Sequence, residues 1–179
     1  MKKLIITISL ILSLLLGLVT IYKVRHQHKF EEVDSGVRQT YINYLNRNVI
    51  NGLEVNYTSS KPEIRALLED ELNFGGYIYK ESGTKTGGYS IAMCRYINVS
   101  PNLAVEKYCA VLCHEMCHVK YFTDNEIYTN FMAFKHLYES DSPELKQAGT
   151  WFGIHILNRE YEHRYDCSKL IVDYLGNIE

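Results

Sequence analysis

The sequence predicts a helix-dominated α+β protein, in which an N-terminal transmembrane helix precedes one domain of helices around a small β-hairpin or sheet. Three observations lead there. Leu4 to Tyr22 is a run of 19 residues without a charge. Most of the remaining chain carries apolar residues at helical spacing. Between Gly76 and Val99 the pattern shifts to β-branched and aromatic residues punctuated by glycines. The 179 residues suffice for one domain of ordinary size, so the chain divides into residues 1–29, anchor and juxtamembrane segment, and residues 30–179.

The uncharged run spans roughly 28 Å as a helix, close to the thickness of a bilayer's hydrocarbon core. It is apolar all round, unlike a surface helix with one polar face. Its exit, Val19-Thr20-Ile21-Tyr22-Lys23, lacks the small residues of a signal-peptide cleavage site. An uncleaved single-pass anchor is therefore expected, with the membrane as a partner through residues 4–22. Basic residues flank the run on both sides, so charge alone leaves its orientation open. Five of the 19 basic residues precede Phe30 and all 21 acidic residues follow it, so residues 30–179 carry a net charge of -7. Such a domain has no electrostatic footprint for nucleic acid.

After a polar linker, Val37, Tyr41, Tyr44, Leu45 and Val49 mark a first amphipathic helix. Ser60-Lys-Pro-Glu63 is a capping box opening a second. Gly76–Tyr79 and Tyr89–Val99 read as strands joined through the glycines between them, a hairpin. Ser100-Pro101 has the form of an N-cap followed by Pro at the first helical position, so a third helix is expected to run to about Tyr121. A fourth follows from Asp124 to about Tyr138. Ser142-Pro143 opens a fifth helical region that reaches Leu175, with breaks expected at Gly149 and Gly153.

Residues 114–118, in the third helix, read His-Glu-Met-Cys-His, an HExxH motif. Residues four apart on a helix differ by about 40°, so His114 and His118 aim at one external point. Glu115 stands about 100° away, able to reach a water at that point without being forced to ligate. That arrangement suits two zinc ligands and a general base. Val105, Tyr108, Leu112, Met116 and Val119 fall on the opposite face, so the apolar stripe leaves the histidines free.

A catalytic zinc needs a third protein ligand and an open position. The leading candidate is Glu126, eight residues after His118, with Asp124 and His136 as alternatives. Thr123-x-x-Glu126 is also a capping box, which would direct the carboxylate to the backbone instead. Asn130, one turn on, is placed to orient a ligating Glu126. His155, Arg159, Tyr161 and His163 lie in the last helical region, and His155 is the first candidate to stabilise a developing oxyanion. Arg95 to Ser100 is a candidate edge strand along which an extended peptide could align. Cys109, Cys113 and Cys117 form a stripe pointing away from the histidines and are expected to be small buried hydrophobes.

Gly88-Tyr89-Ser90, the segment Ile97 to Leu103, the HExxH motif and Glu126-x-x-x-Asn130-Phe131-x-Ala133-Phe134 together carry a family resemblance. From Gly88 to about Leu157, some 70 of 179 residues, the chain resembles uncharacterised, membrane-anchored bacterial proteins of the gluzincin type of zinc metallopeptidase. The resemblance implies a zincin-like domain in which His114, His118 and Glu126 hold one Zn²⁺, Glu115 is the base, and a peptide or protein is the substrate. It also implies that the domain lies outside the cytoplasm. The chain differs from such proteins in having one N-terminal span where they have several, and in Cys117 and Tyr121, where they carry small residues. Two other functions fit the same residues: a non-catalytic envelope protein with a structural metal site, and a zinc amidase acting on cell-wall peptides.

Overall fold

The computed structural model describes residues 32–51, 58–81, 87–158 and 166–178. They form six α-helices and three strands: α1 (Ser35–Asn51), α2 (Lys61–Glu71), β1 (Ile78–Glu81), β2 (Gly88–Ile91), β3 (Tyr96–Val99), α3 (Val105–Tyr121), α4 (Glu126–Glu139), α5 (Pro143–Leu157) and α6 (Ser168–Ile178). The expected helix-dominated α+β architecture with a small sheet is present. Among the described residues no helix is long and apolar enough to cross a membrane; the expected span, residues 4–22, lies outside them.

Local signals explain several boundaries. The Ser60 N–H donates to Glu63 Oε2 at 2.6 Å, so the capping box forms and α2 starts where its sequence says. Ser142 caps α5, with Pro143 in the first turn, where its missing N–H costs no helical bond. The third helix starts later than expected, at Val105 with Ala104 as N-cap. Ser100 instead prolongs the sheet, its N–H donating to the Gly87 carbonyl at 2.7 Å.

The sheet is not one hairpin. Its order is β1-β3-β2, with β3 parallel to β1 and antiparallel to β2. A 3₁₀ turn, Ala92–Cys94, ended by Arg95 in the left-handed region (φ 48°), breaks the long aromatic run into β2 and β3. This corrects the expected edge strand. The segment from Arg95 holds the central strand, and β2 is an edge.

The core forms where α3, α4 and α5 pack on one another, with α1 on α5 and the sheet seated on α3 through β2 and β3. Tyr108, Leu112, Met116, Phe134, Leu137 and Phe152 are fully buried there. The glycines of α5 do not break it. A Cβ on Gly149 would lie 2.5 Å from the Tyr138 backbone nitrogen, and one on Gly153 would lie 2.6 Å from the Phe134 ring. Both let α5 approach α4 closely, which outweighs the roughly 1 kcal/mol that glycine loses to alanine inside a helix. The helical region ends at Leu157, and α6 is separate.

The chain before α6 returns to α1 through a buried ion pair. Arg38 Nη2 lies 2.5 Å from Asp166 Oδ2, and both side chains are 4% exposed. Arg38 also donates to Ser168 Oγ at 2.5 Å and to the carbonyls of Val33 (3.2 Å) and Leu157 (3.5 Å). The Ser168 N–H donates to the second Asp166 oxygen at 2.8 Å. One guanidinium thus ties the start of α1, the end of α5 and the start of α6.

Candidate metal centre

α3 is buried on most of its circumference; His114 is half-buried and His118 buried, and both line a cleft on one side of the helix. Tyr108, Leu112 and Met116 are fully buried on the opposite side, as the stripe predicts. The cysteine stripe is buried as well. Cys113 Sγ lies 3.7 Å from the Ala133 carbonyl of α4. Burial pushes the Cys109 thiol up to about 12. The hydrogen bond with Cys117, followed by burial, raises that of Cys113. Protonated thiols facing the core are poor metal ligands.

A tight reversal follows α3. Phe122 adopts the left-handed region (φ 48°, ψ 51°), and its N–H and that of Thr123 both bond the His118 carbonyl. The reversal brings the Thr123 carbonyl back to the His118 ring, where it accepts a hydrogen bond from Nδ1 at 2.7 Å. With the proton on Nδ1, the neutral ring presents the lone pair of Nε2, the usual orientation of a ligating histidine.

The turn also decides the role of Glu126. Asn125, not Thr123, is the N-cap of α4, its side chain accepting from the Tyr128 N–H at 3.1 Å. Thr123 Oγ1 instead accepts from the Asn125 N–H at 3.1 Å. The capping box at Thr123 is therefore not formed, and α4 starts two residues later than expected. Glu126, now the first residue of α4, sends its carboxylate to the histidines.

Three donor atoms converge. His114 Nε2 and His118 Nε2 are 2.9 Å apart. Glu126 Oε2 lies 3.1 Å from His114 Nε2, and Oε1 lies 3.5 Å from His118 Nε2. Ligand atoms about 2.0–2.1 Å from a tetrahedral ion stand roughly 3.3–3.4 Å from one another. The separations, each to the nearer Glu126 oxygen, are close to that size, so the three residues could hold a metal ion. Its electrostatics agree. Burial opposes ionisation of Glu126, but hydrogen bonds and charge from both histidines outweigh it and hold the carboxyl well below its usual range. Burial likewise disfavours a charged His118 ring, yet Glu126, the Thr123 carbonyl and the nearby Glu115 together raise its pKa. The site is built to stabilise positive charge.

The ligand atoms face a cleft of about 920 Å³. Gly88, Tyr89 and Ser90 of β2 line one wall, and Phe152 and His155 of α5 line another. Glu115 is buried, at 7% exposure, beside the ligand set but outside it. Asn130 lies in the same wall one turn after Glu126, 2% exposed. His155 lines the cleft with its ring stacked on Trp151, centroids 4.8 Å apart. Asp124 lines the cleft but is not one of the three converging residues. His136 is elsewhere, sharing a hydrogen bond with the Tyr121 hydroxyl at 2.6 Å. Arg159, Tyr161 and His163 lie outside the described residues.

Gly88 sets the spacing between β2 and α3. A Cβ there would lie 2.8 Å from Val111 Cγ1, 2.9 Å from the Asn98 carbonyl oxygen and 3.3 Å from Glu115 Cγ. Gly88→Ala is accordingly expected to destabilise the chain by about 1–3 kcal/mol, with the metal content retained. Chemical denaturation and metal analysis of the variant check both; unchanged stability would mean that β2 is not seated on Glu115. In the sequence Gly88 stands out only by its place in a glycine-rich turn and in the Gly88-Tyr89-Ser90 segment of the resemblance; neither signals its contact with Glu115.

Comparison with known proteins finds no matching family model, no matching curated protein and no matching solved structure.

Proposed function

We propose that this protein is a membrane-anchored, zinc-dependent metallopeptidase. One observation carries the reading: a three-residue ligand set, His114, His118 and Glu126, faces an open cleft with the buried carboxylate of Glu115 alongside. A structural zinc site is normally closed by four protein ligands, whereas a catalytic one keeps a position for water or substrate. Among the described residues no fourth His, Cys, Asp or Glu joins the group.

Zinc held by these residues would supply Lewis acidity, bringing the pKa of a water toward about 7 and polarising the substrate carbonyl. Glu115 takes the proton from the attacking water and delivers it to the leaving amine nitrogen. Its burial between β2 and α3 keeps the carboxylate in place. His155 donates a hydrogen bond to the carbonyl oxygen as it gains charge. Asn130 fixes the Glu126 side chain from one turn further along α4. The peptide lies extended along β2, an edge strand among the described residues, whose free side offers backbone donors and acceptors beside the cleft. Residues 4–22 anchor the chain, with the domain outside the cytoplasm.

The test uses the full chain in detergent with denatured casein and a mixed peptide pool as substrates. Cleavage is expected, stopped by EDTA and restored by zinc. A chain that binds zinc but leaves every peptide intact would favour a purely structural metal.

A further inference from the structure

The sheet has one face on α3 and another turned outward. Ile97 and Val99 of β3 are fully buried on the inner face. On the outer face, Ile78 pairs with Tyr96 and Tyr96 with Ile91, so these three side chains stand in a row across the strands. The next row on that face is Lys80, Asn98 and Tyr89, with Asn98 itself buried and bonded to the tyrosines Tyr89 and Tyr96. Ile78 is 62% exposed, Ile91 48% and Tyr89 45%, and Met93, in the turn between β2 and β3, is 84% exposed. These four make up half of the large exposed hydrophobics among the described residues. Side chains scattered singly need no explanation, but three on one small face with a fourth in the adjoining turn do.

We propose that this face seats on the anionic surface of the bilayer that residues 4–22 cross; the inference rests on the anchor assigned above and not on the metal. The charge distribution favours lipid. Residues 30–179 carry a net charge of -7, yet the paired positions of the outer face hold Lys80 and no carboxylate. Arg95 adds a second cation at the rim, its guanidinium 5.4 Å from the Phe74 ring centre. Aliphatic, tyrosyl and basic side chains together suit the headgroup region, where rings sit at the interface and cations meet anionic lipid.

Chain length favours lipid too. Nine residues separate Tyr22 from Glu32, at most about 30 Å of chain. The domain is thereby held near the membrane at high effective concentration, and a weak surface contact suffices. A second copy of the chain is a poorer occupant. Three strands of four residues cover about 200 Å², against roughly 800 Å² per partner in a stable interface. Because β2 also forms a wall of the cleft, seating this face brings the cleft beside the lipid. Its substrates would then be segments close to the membrane surface.

Cys94 offers a direct probe, since it is exposed while the other four cysteines are buried. The full chain, labelled there with an environment-sensitive fluorophore, is reconstituted into vesicles of phosphatidylcholine and phosphatidylglycerol. Some of the lipids carry a spin label high on the acyl chain. Quenching of the fluorophore is expected, weaker in vesicles of phosphatidylcholine alone. It is expected to be lost in the double variant Ile91→Asp, Met93→Asp, whose exposed positions leave the core intact. An unquenched fluorophore on a chain that floats with the vesicles overturns the proposal. Quenching unchanged in the double variant does the same, and so does cross-linking between Cys94 side chains that rises with protein density, which points to a second copy. A chain that fails to float overturns the anchor and this proposal together, leaving zinc binding and hydrolysis to be judged separately.

Discussion

Glu115→Gln is expected to retain zinc and to lose hydrolysis, with kcat falling by roughly a hundred- to ten-thousand-fold. The amide keeps the size of the side chain, so the seat between β2 and α3 is preserved, but it takes up no proton from water. Metal is retained because the converging donors come from His114, His118 and Glu126 and not from Glu115. Metal analysis and a peptide-cleavage assay on the same preparation separate the two effects. Retained turnover would remove Glu115 from the mechanism; loss of zinc along with activity would make it a ligand or a structural support.

The second large effect concerns stability. Removing one partner of a buried ion pair leaves the other charge uncompensated, which costs about 3–5 kcal/mol. Arg38→Ala is expected to fall in that range, because Asp166 is 4% exposed at its side chain and its remaining bonds come from Ser168. The pH dependence has a definite sign. Burial alone would raise the Asp166 carboxyl, but its bonds with Arg38 and Ser168 outweigh burial and lower it. A carboxyl held below its unfolded value, about 3.9 for aspartate, contributes fully above that value. The contribution is lost as pH falls through the lower folded value. Urea denaturation of the wild type and of Asp166→Asn is expected to show a gap near neutrality that narrows below about pH 4. A constant gap would show that the pair does not titrate with folding.

Helix starts set by local bonds were legible. Ser60 with Glu63, and Ser142 before Pro143, mark α2 and α5 because the bonds that set those boundaries are made within a few residues. The histidine face of α3 was legible for a related reason, since helical period alone puts His114 and His118 together. Signals that two structures share were misleading. Ser100-Pro101 has the form of a helix start, but a cross-strand bond to Gly87 draws Ser100 into the sheet. Thr123-x-x-Glu126 satisfies a capping box on paper, yet the left-handed turn at Phe122 makes Asn125 the cap and frees the Glu126 carboxylate. Phe122 has no sequence signature for that conformation, which bulky residues seldom adopt.

Long-range features left no trace to read. Arg38 and Asp166 stand 128 positions apart, and nothing local distinguishes them from other charges. Gly149 and Gly153 look like helix breakers because the groups that need their missing side chains, Tyr138 and Phe134 of α4, come close only once α5 packs back on α4. The strand order is hidden in the same way, since β1 pairs with β3 across the intervening β2.

The ligand set is tested most directly by X-ray absorption at the zinc edge, together with metal analysis, on the zinc-loaded full chain and on Glu126→Ala. One zinc per chain is expected, with nitrogen and oxygen neighbours at about 2.0–2.2 Å and no sulfur, and most of it lost when Glu126 is removed. Sulfur in the coordination shell, or full zinc retention with an unchanged spectrum in Glu126→Ala, would contradict a site built from His114, His118 and Glu126.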